Sequence, residues 1–87
     1  MNYPNPFNPS TTINYLIEEK SNIKLSIHNI KGQKVIELIH CNKDRGKHSV
    51  IWDGKNSSGE TINSGVYYII LNADNKRVII KKCVLLK

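Results

Sequence analysis

The sequence predicts an all-β fold, an immunoglobulin-like antiparallel β-sandwich of about seven short strands. Two observations support this class. Short apolar runs that alternate with a period of two are separated by turn-forming Gly, Asn and Asp residues. No helical periodicity persists beyond one turn. The chain has 87 residues, of which 39 % are hydrophobic, so we expect one small domain. It divides into a proline-rich arm at residues 1–10 and a sandwich at residues 11–87.

The strand that ends at Trp52 marks the centre of the predicted sandwich. His48, Val50 and Trp52 alternate along this strand, so all three side chains point to one face. Trp52 is the only tryptophan of the chain, and its burial would contribute the largest apolar area. Asp53 and Gly54 then break the strand and begin a long polar turn.

A second central strand is predicted from Gly65 to Leu71. Tyr67, Ile69 and Leu71 share its inward face. The other face is also apolar, which is typical of a strand with neighbours on both sides. Tyr67 stands near the start of this strand, where such sandwiches place a tyrosine whose hydroxyl bonds to nearby backbone.

The other strands are predicted in chain order. Thr11–Ile17 is the first, and Ile23–Ile30 is the second, with Ser26 among its outward-facing residues. Lys34–Ile39 returns after a hairpin turn that contains Gly32. This return strand breaks strict alternation, which indicates a β-bulge or burial on both faces.

The remaining chain is predicted as loop, turn and strand. Cys41–Gly46 is an irregular charged loop, Asn72–Asn75 is a hairpin turn, and Arg77–Leu86 is the last strand. The inward positions of the strands define the expected core: Ile13, Ile23, Leu25, Ile27, Val50, Trp52, Tyr67, Ile69 and Leu71.

The N-terminal arm contains all three prolines of the chain, at positions 4, 6 and 9. Proline fixes its own φ and favours extended geometry at the preceding residue. Phe7, the only phenylalanine, lies in the middle of the arm. We expect Phe7 to close one end of the sandwich, and a contact with a ligand is the alternative.

Charge and hydropathy argue against two classes of partner. The net charge of +6 comes from 13 basic residues that cluster only near the end of the chain. Because no basic stripe or aromatic reading motif accompanies them, we expect no nucleic-acid binding. The first residues lack the charged and apolar pattern of a signal peptide, and no apolar segment approaches the roughly 20 residues that span a bilayer. We therefore expect no direct membrane insertion.

No catalytic or cofactor constellation is recognisable, and we expect a protein that is not an enzyme. The three histidines share no metal-ligand spacing. Asp53–Glu60 faintly resembles a calcium loop, but Lys55 stands where an oxygen ligand is needed, so a turn held by its own side chains is preferred. Cys41 and Cys83 match no redox spacing and are expected to be free thiols, with a single disulfide as the alternative.

One set of motifs extends over the whole chain. It opens with the proline-punctuated segment at residues 2–13, continues through Trp-Asp-Gly and Ser-Gly-Val-Tyr, and ends with Lys81 and Lys82. The set resembles the C-terminal sorting domain, type A, of the type IX (Por) secretion system. It is similar also to the related Ig-like domain of the flagellar hook-capping protein. His28 and Cys83 depart from the tyrosine and methionine that the sorting family usually has. The motif residues are Asn5, Pro6, Phe7, Asn8, Pro9, Gly32, Trp52, Asp53, Gly54, Ser64, Gly65 and Tyr67.

The resemblance implies a non-catalytic sorting signal in a larger secreted protein. Its partners would be an upstream cargo domain in the same precursor, the type IX translocon, and a surface sortase-like protease that removes the domain. The protein would pass through the periplasm to the outer-membrane surface. We expect the recognised surface to be the basic hairpin near the end of the chain, because an edge strand offers unpaired backbone groups. Its charged residues are Lys76, Arg77, Lys81, Lys82 and Lys87.

A structural or interaction module is the alternative hypothesis. On this hypothesis the domain is an Ig-like spacer of a modular surface protein, or a piece of an assembly like the hook cap, and is never cleaved. The sequence stops directly after its last predicted strand, and this favours the sorting hypothesis because a spacer would be expected to continue.

Overall fold

The computed structural model describes residues 10–86, with the backbone alone for Arg77 and Val78. Six strands in this part of the chain form two antiparallel sheets. The strands are β1 (Thr11–Ile17), β2 (Ser21–His28), β3 (Lys34–Lys43), β4 (Gly46–Trp52), β5 (Gly65–Ala73) and β6 (Lys76–Leu85). β1 pairs with β4, and the second sheet has the order β3-β2-β5-β6. The predicted all-β sandwich is confirmed, with six described strands rather than about seven.

The core lies between the inward faces of the two sheets. Trp52 and the three inward residues of β2 are fully buried. All the residues expected in the core are buried except Val50, which is half-buried and packs against the others. Leu85 was not predicted in the core, but the register places it opposite Gly65 on the inward side of β6.

β2 is an interior strand, and one of its residues differs from the prediction. Ser26 was expected to face solvent, yet it is buried. The register places the small Ser26 side chain between Glu37 of β3 and Ile70 of β5, and these half-buried side chains flank it on the outward face. The Ser26 hydroxyl lies 2.9 Å from Nε2 of His28, so it has a polar partner despite its burial.

β3 is longer than predicted. The predicted loop at Cys41–Gly46 is wrong for its first half, because β3 continues to Lys43 and pairs there with Ser21. Backbone hydrogen bonds to β2 outweigh the weak strand propensity of these polar residues. The predicted bulge is confirmed by register shifts that follow Leu25 and Ile27.

The β2–β3 turn is stabilised by side-chain hydrogen bonds, and the β5–β6 turn contains two residues with left-handed backbone conformation. Asn29 Oδ1 accepts hydrogen bonds from the backbone N–H of Lys31 at 2.9 Å and of Gln33 at 3.0 Å, which ends β2 at His28 rather than Ile30. Asp74 and Asn75 have φ values of 51° and 69°, as in a type I′ turn between β5 and β6.

The two cysteines lie on opposite edges of the larger sheet. Cys41 is exposed on β3, whereas Cys83 is half-buried on β6. Three strand spacings separate these edges, about 14 Å, which exceeds the limit of about 7 Å between the Cα atoms of a disulfide. The register also places Cys41 level with Ala73, and Cys83 level with Tyr67. This fold is therefore incompatible with the disulfide alternative.

Candidate interaction surface

The Trp-Asp-Gly motif builds the turn that follows β4. Trp52 Nε1 donates a hydrogen bond to the carbonyl oxygen of Lys55 at 3.0 Å. Asp53 Oδ1 accepts a hydrogen bond from the backbone N–H of Lys55 at 3.2 Å. Gly54 is buried with a φ of 77°, a left-handed conformation that a side chain would strain. These motif residues have structural roles in the turn.

Tyr67, on β5 of the larger sheet, contacts Trp52 on β4 of the smaller sheet. Its ring meets the Trp52 indole edge-on, with 5.6 Å between the ring centroids and 72° between the planes. Its hydroxyl donates a hydrogen bond to the carbonyl oxygen of Asn63 at 2.7 Å. The predicted corner tyrosine is thereby confirmed.

Tyr67→Phe is expected to lower the free energy of unfolding by about 1 kcal/mol, because it removes one hydrogen bond and keeps the ring in place. Urea denaturation followed by Trp52 fluorescence measures this change. Tyr68→Phe, next to it on the outward face, is the matched control and should be neutral. An equal loss in both variants would contradict the special role of the Tyr67 hydroxyl.

Side-chain oxygens of the polar loop after Gly54 accept hydrogen bonds from within the loop itself. Asn56 Oδ1 accepts hydrogen bonds from the backbone N–H of Ser58 and of Glu60, both at 3.0 Å. Asn56 Nδ2 donates to Glu60 Oε1 at 3.1 Å. The loop is therefore a turn held by its own side chains, as preferred from the sequence.

The histidines have separate surroundings. His40 Nδ1 lies 3.3 Å from Glu37 Oε2, and the His48 ring stacks on Tyr15 with 5.4 Å between centroids. A hydrogen bond from Lys34 Nζ holds the pKa of Glu37 below its usual value.

Within residues 10–86 no group of three or more His, Cys, Asp or Glu side chains could hold a metal ion. The same residues contain no helix that is long and apolar enough to cross a membrane.

Of the basic residues predicted as a recognition surface, the structure describes the side chains of three, all on β6. Lys76, Lys81 and Lys82 are exposed. Successive residues of a strand point to opposite faces. Lys81 therefore lies on the inward side, opposite Ile69, and Lys82 lies on the outward side, opposite Tyr68. The side chain of Arg77, all of Lys87 and the motif residues of the arm (Asn5, Pro6, Phe7, Asn8 and Pro9) lie outside the described residues.

The β5–β6 hairpin also has an apolar component on its outward face, which was not predicted from the sequence. Ile80 and Val84 are exposed on the outward face of β6. The register places them opposite Ile70 and Val66 of β5, which are half-buried. The sequence contains these residues, since apolar side chains occupy both alternating sets of positions in the last strand. The recognition surface was nevertheless predicted from its basic residues alone. The outward face of the β5–β6 hairpin thus combines apolar side chains with Lys82.

The two packed sheets, the corner tyrosine and the exposed edge strand define an immunoglobulin-like β-sandwich module. The family model of the FlgD Ig-like domain matches residues 8–77, and the chain belongs to this family.

Solved structures support the same fold, whereas no curated protein matches the sequence significantly. Six chains of solved structures match. One of them is the crystal structure of FLGD from P. aeruginosa, with a TM-score of 0.70 and 22 % sequence identity. The match covers 87 % of this chain and 61 % of the FLGD chain. At this identity the likeness shows a shared fold.

Proposed function

We propose that this domain is a non-catalytic interaction module of a larger protein, and that β6 is its working surface. The observation that supports the proposal most is the edge position of β6, whose only described neighbour is β5. A long exposed edge strand offers unpaired N–H and C=O groups to a partner. Exposed apolar side chains and lysines flank those groups. Membership of an Ig-like domain family supports a structural role.

A more specific function is proposed from the sequence motifs. The proline-punctuated arm, combined with Trp-Asp-Gly and Ser-Gly-x-Tyr, resembles type IX sorting domains. In this role the domain would bind the translocon in the periplasm, carry an attached cargo to the outer-membrane surface, and be removed there by a sortase-like protease. The match to the FlgD Ig-like domain family favours the uncleaved structural module over the sorting role. The following experiment separates the two.

Appending residues 2–87 to a periplasmically exported reporter is expected to carry it to the cell surface of a host with type IX machinery. Surface labelling and the size of the reporter measure the outcome. Cleaved reporter at the surface supports the sorting function. Uncleaved reporter that stays in the periplasm contradicts it and supports the structural module.

Two variants of this fusion test the role of β6. Deleting residues 77–87 should abolish surface display, because it removes the edge strand. Lys81→Glu with Lys82→Glu should reduce display while the domain stays folded, because exposed substitutions usually change stability by less than about 0.5 kcal/mol. Lys20→Glu with Lys47→Glu is the control, since it makes the same charge change at exposed residues outside β6. Normal display of the folded Lys81 and Lys82 variant would rule out the basic edge as the recognised surface.

A further inference from the structure

The two edges of the larger sheet differ in how they are protected against an added strand. The β3 edge is irregular, with register shifts that follow Leu25 and Ile27 of β2. The loop between β4 and β5 also reaches β3, since the backbone N–H and the hydroxyl of Ser57 both donate hydrogen bonds to the carbonyl oxygen of Val35, each at 3.1 Å. Bulges and covering loops are common protections of edge strands. A further strand would therefore pair poorly with β3.

The β6 edge is regular. Its pairing with β5 runs without a shift from Ile79, opposite Leu71, to Leu85, opposite Gly65. Ile79 and Ile80 are both exposed at the beginning of this stretch. Alternate residues of an antiparallel edge strand direct their N–H and C=O groups away from the neighbour that they already have. β6 can therefore accept a further strand along this stretch.

Two adjacent lysines in the middle of this stretch restrict which strand can be added. Lys82 lies on the outward face, and Lys81 lies on the inward face, opposite the buried Ile69. An inward-pointing charge on an edge strand opposes pairing with a neutral strand. A second copy of β6, paired about its middle, would bring four lysines together, and like charges opposite each other destabilise a sheet. A carboxylate on the added strand removes both penalties.

The surroundings of Lys81 also favour a carboxylate. Lys81 and Tyr15 line the same cavity of about 310 Å³ between β6 and β1, together with aliphatic side chains. The hydroxyl of Tyr15 is buried and has no hydrogen-bond partner among residues 10–86. Buried polar groups nearly always have such a partner. A carboxylate in this cavity would accept a hydrogen bond from the Tyr15 hydroxyl and pair with the Lys81 ammonium group.

The charge changes sign at the next inward position of β6, which is Ile79. Ile79 lines an adjoining cavity of about 610 Å³, and Glu18 and Glu19 line the same cavity. Their carboxylates repel an acidic side chain placed opposite Ile79, whereas an apolar side chain there covers exposed aliphatic surface. An added strand is therefore favoured in the register that places its acidic residue opposite Lys81.

On the basis that β6 is the working surface, we propose that its partner binds as an added antiparallel strand with two adjacent acidic residues between apolar ones. The acidic residues lie opposite Lys81 and Lys82, and the apolar residues lie opposite Ile79, Ile80 and Val84. Antiparallel pairing continues the pattern of the existing sheet. In this mode of recognition the backbone hydrogen bonds give affinity, and the complementary side chains give specificity.

The probe is the blocked synthetic peptide acetyl-Thr-Val-Ala-Glu-Glu-Val-Ile-Thr-amide, which presents this pattern to β6 in the antiparallel direction. Its matched controls carry Gln-Gln or Lys-Lys in place of Glu-Glu. Fluorescence anisotropy with the full chain gives the Kd of each labelled peptide. The Glu-Glu peptide should bind about tenfold more tightly than the Gln-Gln peptide, and the Lys-Lys peptide should bind most weakly. Equal Kd values for the three peptides would overturn the proposal.

Variants of the chain test the assigned register. Lys81→Glu should reverse the ranking, so that the Lys-Lys peptide binds more tightly than the Glu-Glu peptide. Lys82→Glu should act in the same direction but less strongly, because the outward charge is screened by solvent. Tyr15→Phe should weaken binding of the Glu-Glu peptide about threefold, because one donor to the carboxylate is lost. Lys31→Glu, at an exposed residue of the β2–β3 turn, is the control and should keep the ranking. A ranking that Lys81→Glu does not change would contradict the proposal.

Backbone pairing is tested separately from the side-chain contacts. Methylation of alternate backbone nitrogens of the Glu-Glu peptide should abolish binding for one alternating set and be tolerated for the other, because only one set faces β6. Joining the Glu-Glu segment to Lys87 through a Gly-Ser linker raises its effective concentration to the millimolar range and detects a weak interaction. Hydrogen exchange of the β6 amides should then be slower than in the matched Lys-Lys fusion. Equal exchange in the two fusions would rule out strand addition.

Failure of strand addition and failure of β6 as the working surface give different results. Loss of surface display in the Lys81→Glu, Lys82→Glu reporter fusion, without binding of the Glu-Glu peptide, would overturn strand addition and leave β6 as the working surface. Normal display of that folded fusion would overturn the role of β6 in display, whatever the peptide does. Protection of the β6 amides in the chain alone that disappears on dilution would overturn the acidic strand, because the occupant would then be a second copy.

Discussion

Trp52→Ala is expected to lower the free energy of unfolding by about 3–5 kcal/mol, the range for removing a large buried aromatic side chain. Trp52 is 0 % exposed, contacts the Tyr67 ring edge-on and bonds to the Lys55 carbonyl, so three kinds of interaction are lost together. Small domains are stable by only about 5–15 kcal/mol, so much of the variant could be unfolded without denaturant.

Urea denaturation followed by far-ultraviolet circular dichroism measures the Trp52→Ala effect, since the variant lacks the only tryptophan. Ile51→Ala is the matched control. It changes the neighbouring residue of β4, which is 65 % exposed on the other face, and should cost less than about 1 kcal/mol. Similar losses for both variants would show that Trp52 is not the centre of the core.

Leu25→Ala is expected to cost about 2–5 kcal/mol, the range for truncating a buried leucine. Leu25 is fully buried on the interior strand β2, and the register places it between Ile39 and Leu71. Both neighbouring strands are fixed by their own hydrogen bonds, so the cavity cannot collapse easily. The cost should therefore lie in the upper part of this range.

Leu16→Ala makes the same change on β1, where Leu16 is 52 % exposed, and should cost no more than about 1 kcal/mol. Chemical denaturation of both variants by Trp52 fluorescence gives the difference. If Leu16→Ala were as destabilising as Leu25→Ala, the assignment of inward and outward faces in the sandwich would be wrong.

The proposed interaction role uses the free backbone edge of β6 and its outward face, where Ile80, Lys82 and Val84 are exposed.

Local patterns were sufficient for most of the fold. Period-two alternation identified the inward residues of β1, β2, β4 and β5, because a strand side chain can face only one of two sides. Turn chemistry located the Asn29–Gln33 turn, because Gly, Asn and Asp tolerate left-handed backbone. It also located the Asp74–Asn75 turn, although the predicted turn began at Asn72 and β5 continues to Ala73. The position of Tyr67 indicated the corner hydrogen bond, and the motif residues carried the relation to the hook-capping Ig-like domain.

Other features were decided only by tertiary contacts. Ser26 is buried because two strands flank β2, and β3 reaches Lys43 because β2 supplies hydrogen-bond partners; neither cause is local in the sequence. The separation of the cysteines followed from the strand order. The division of Lys81 and Lys82 between two faces required the assigned register of β6. The sequence by itself determined which residues face inward and where the chain turns, since these depend on neighbouring residues. Strand order and edge exposure depend on residues far apart in the chain, and only the packing of the two sheets decided them.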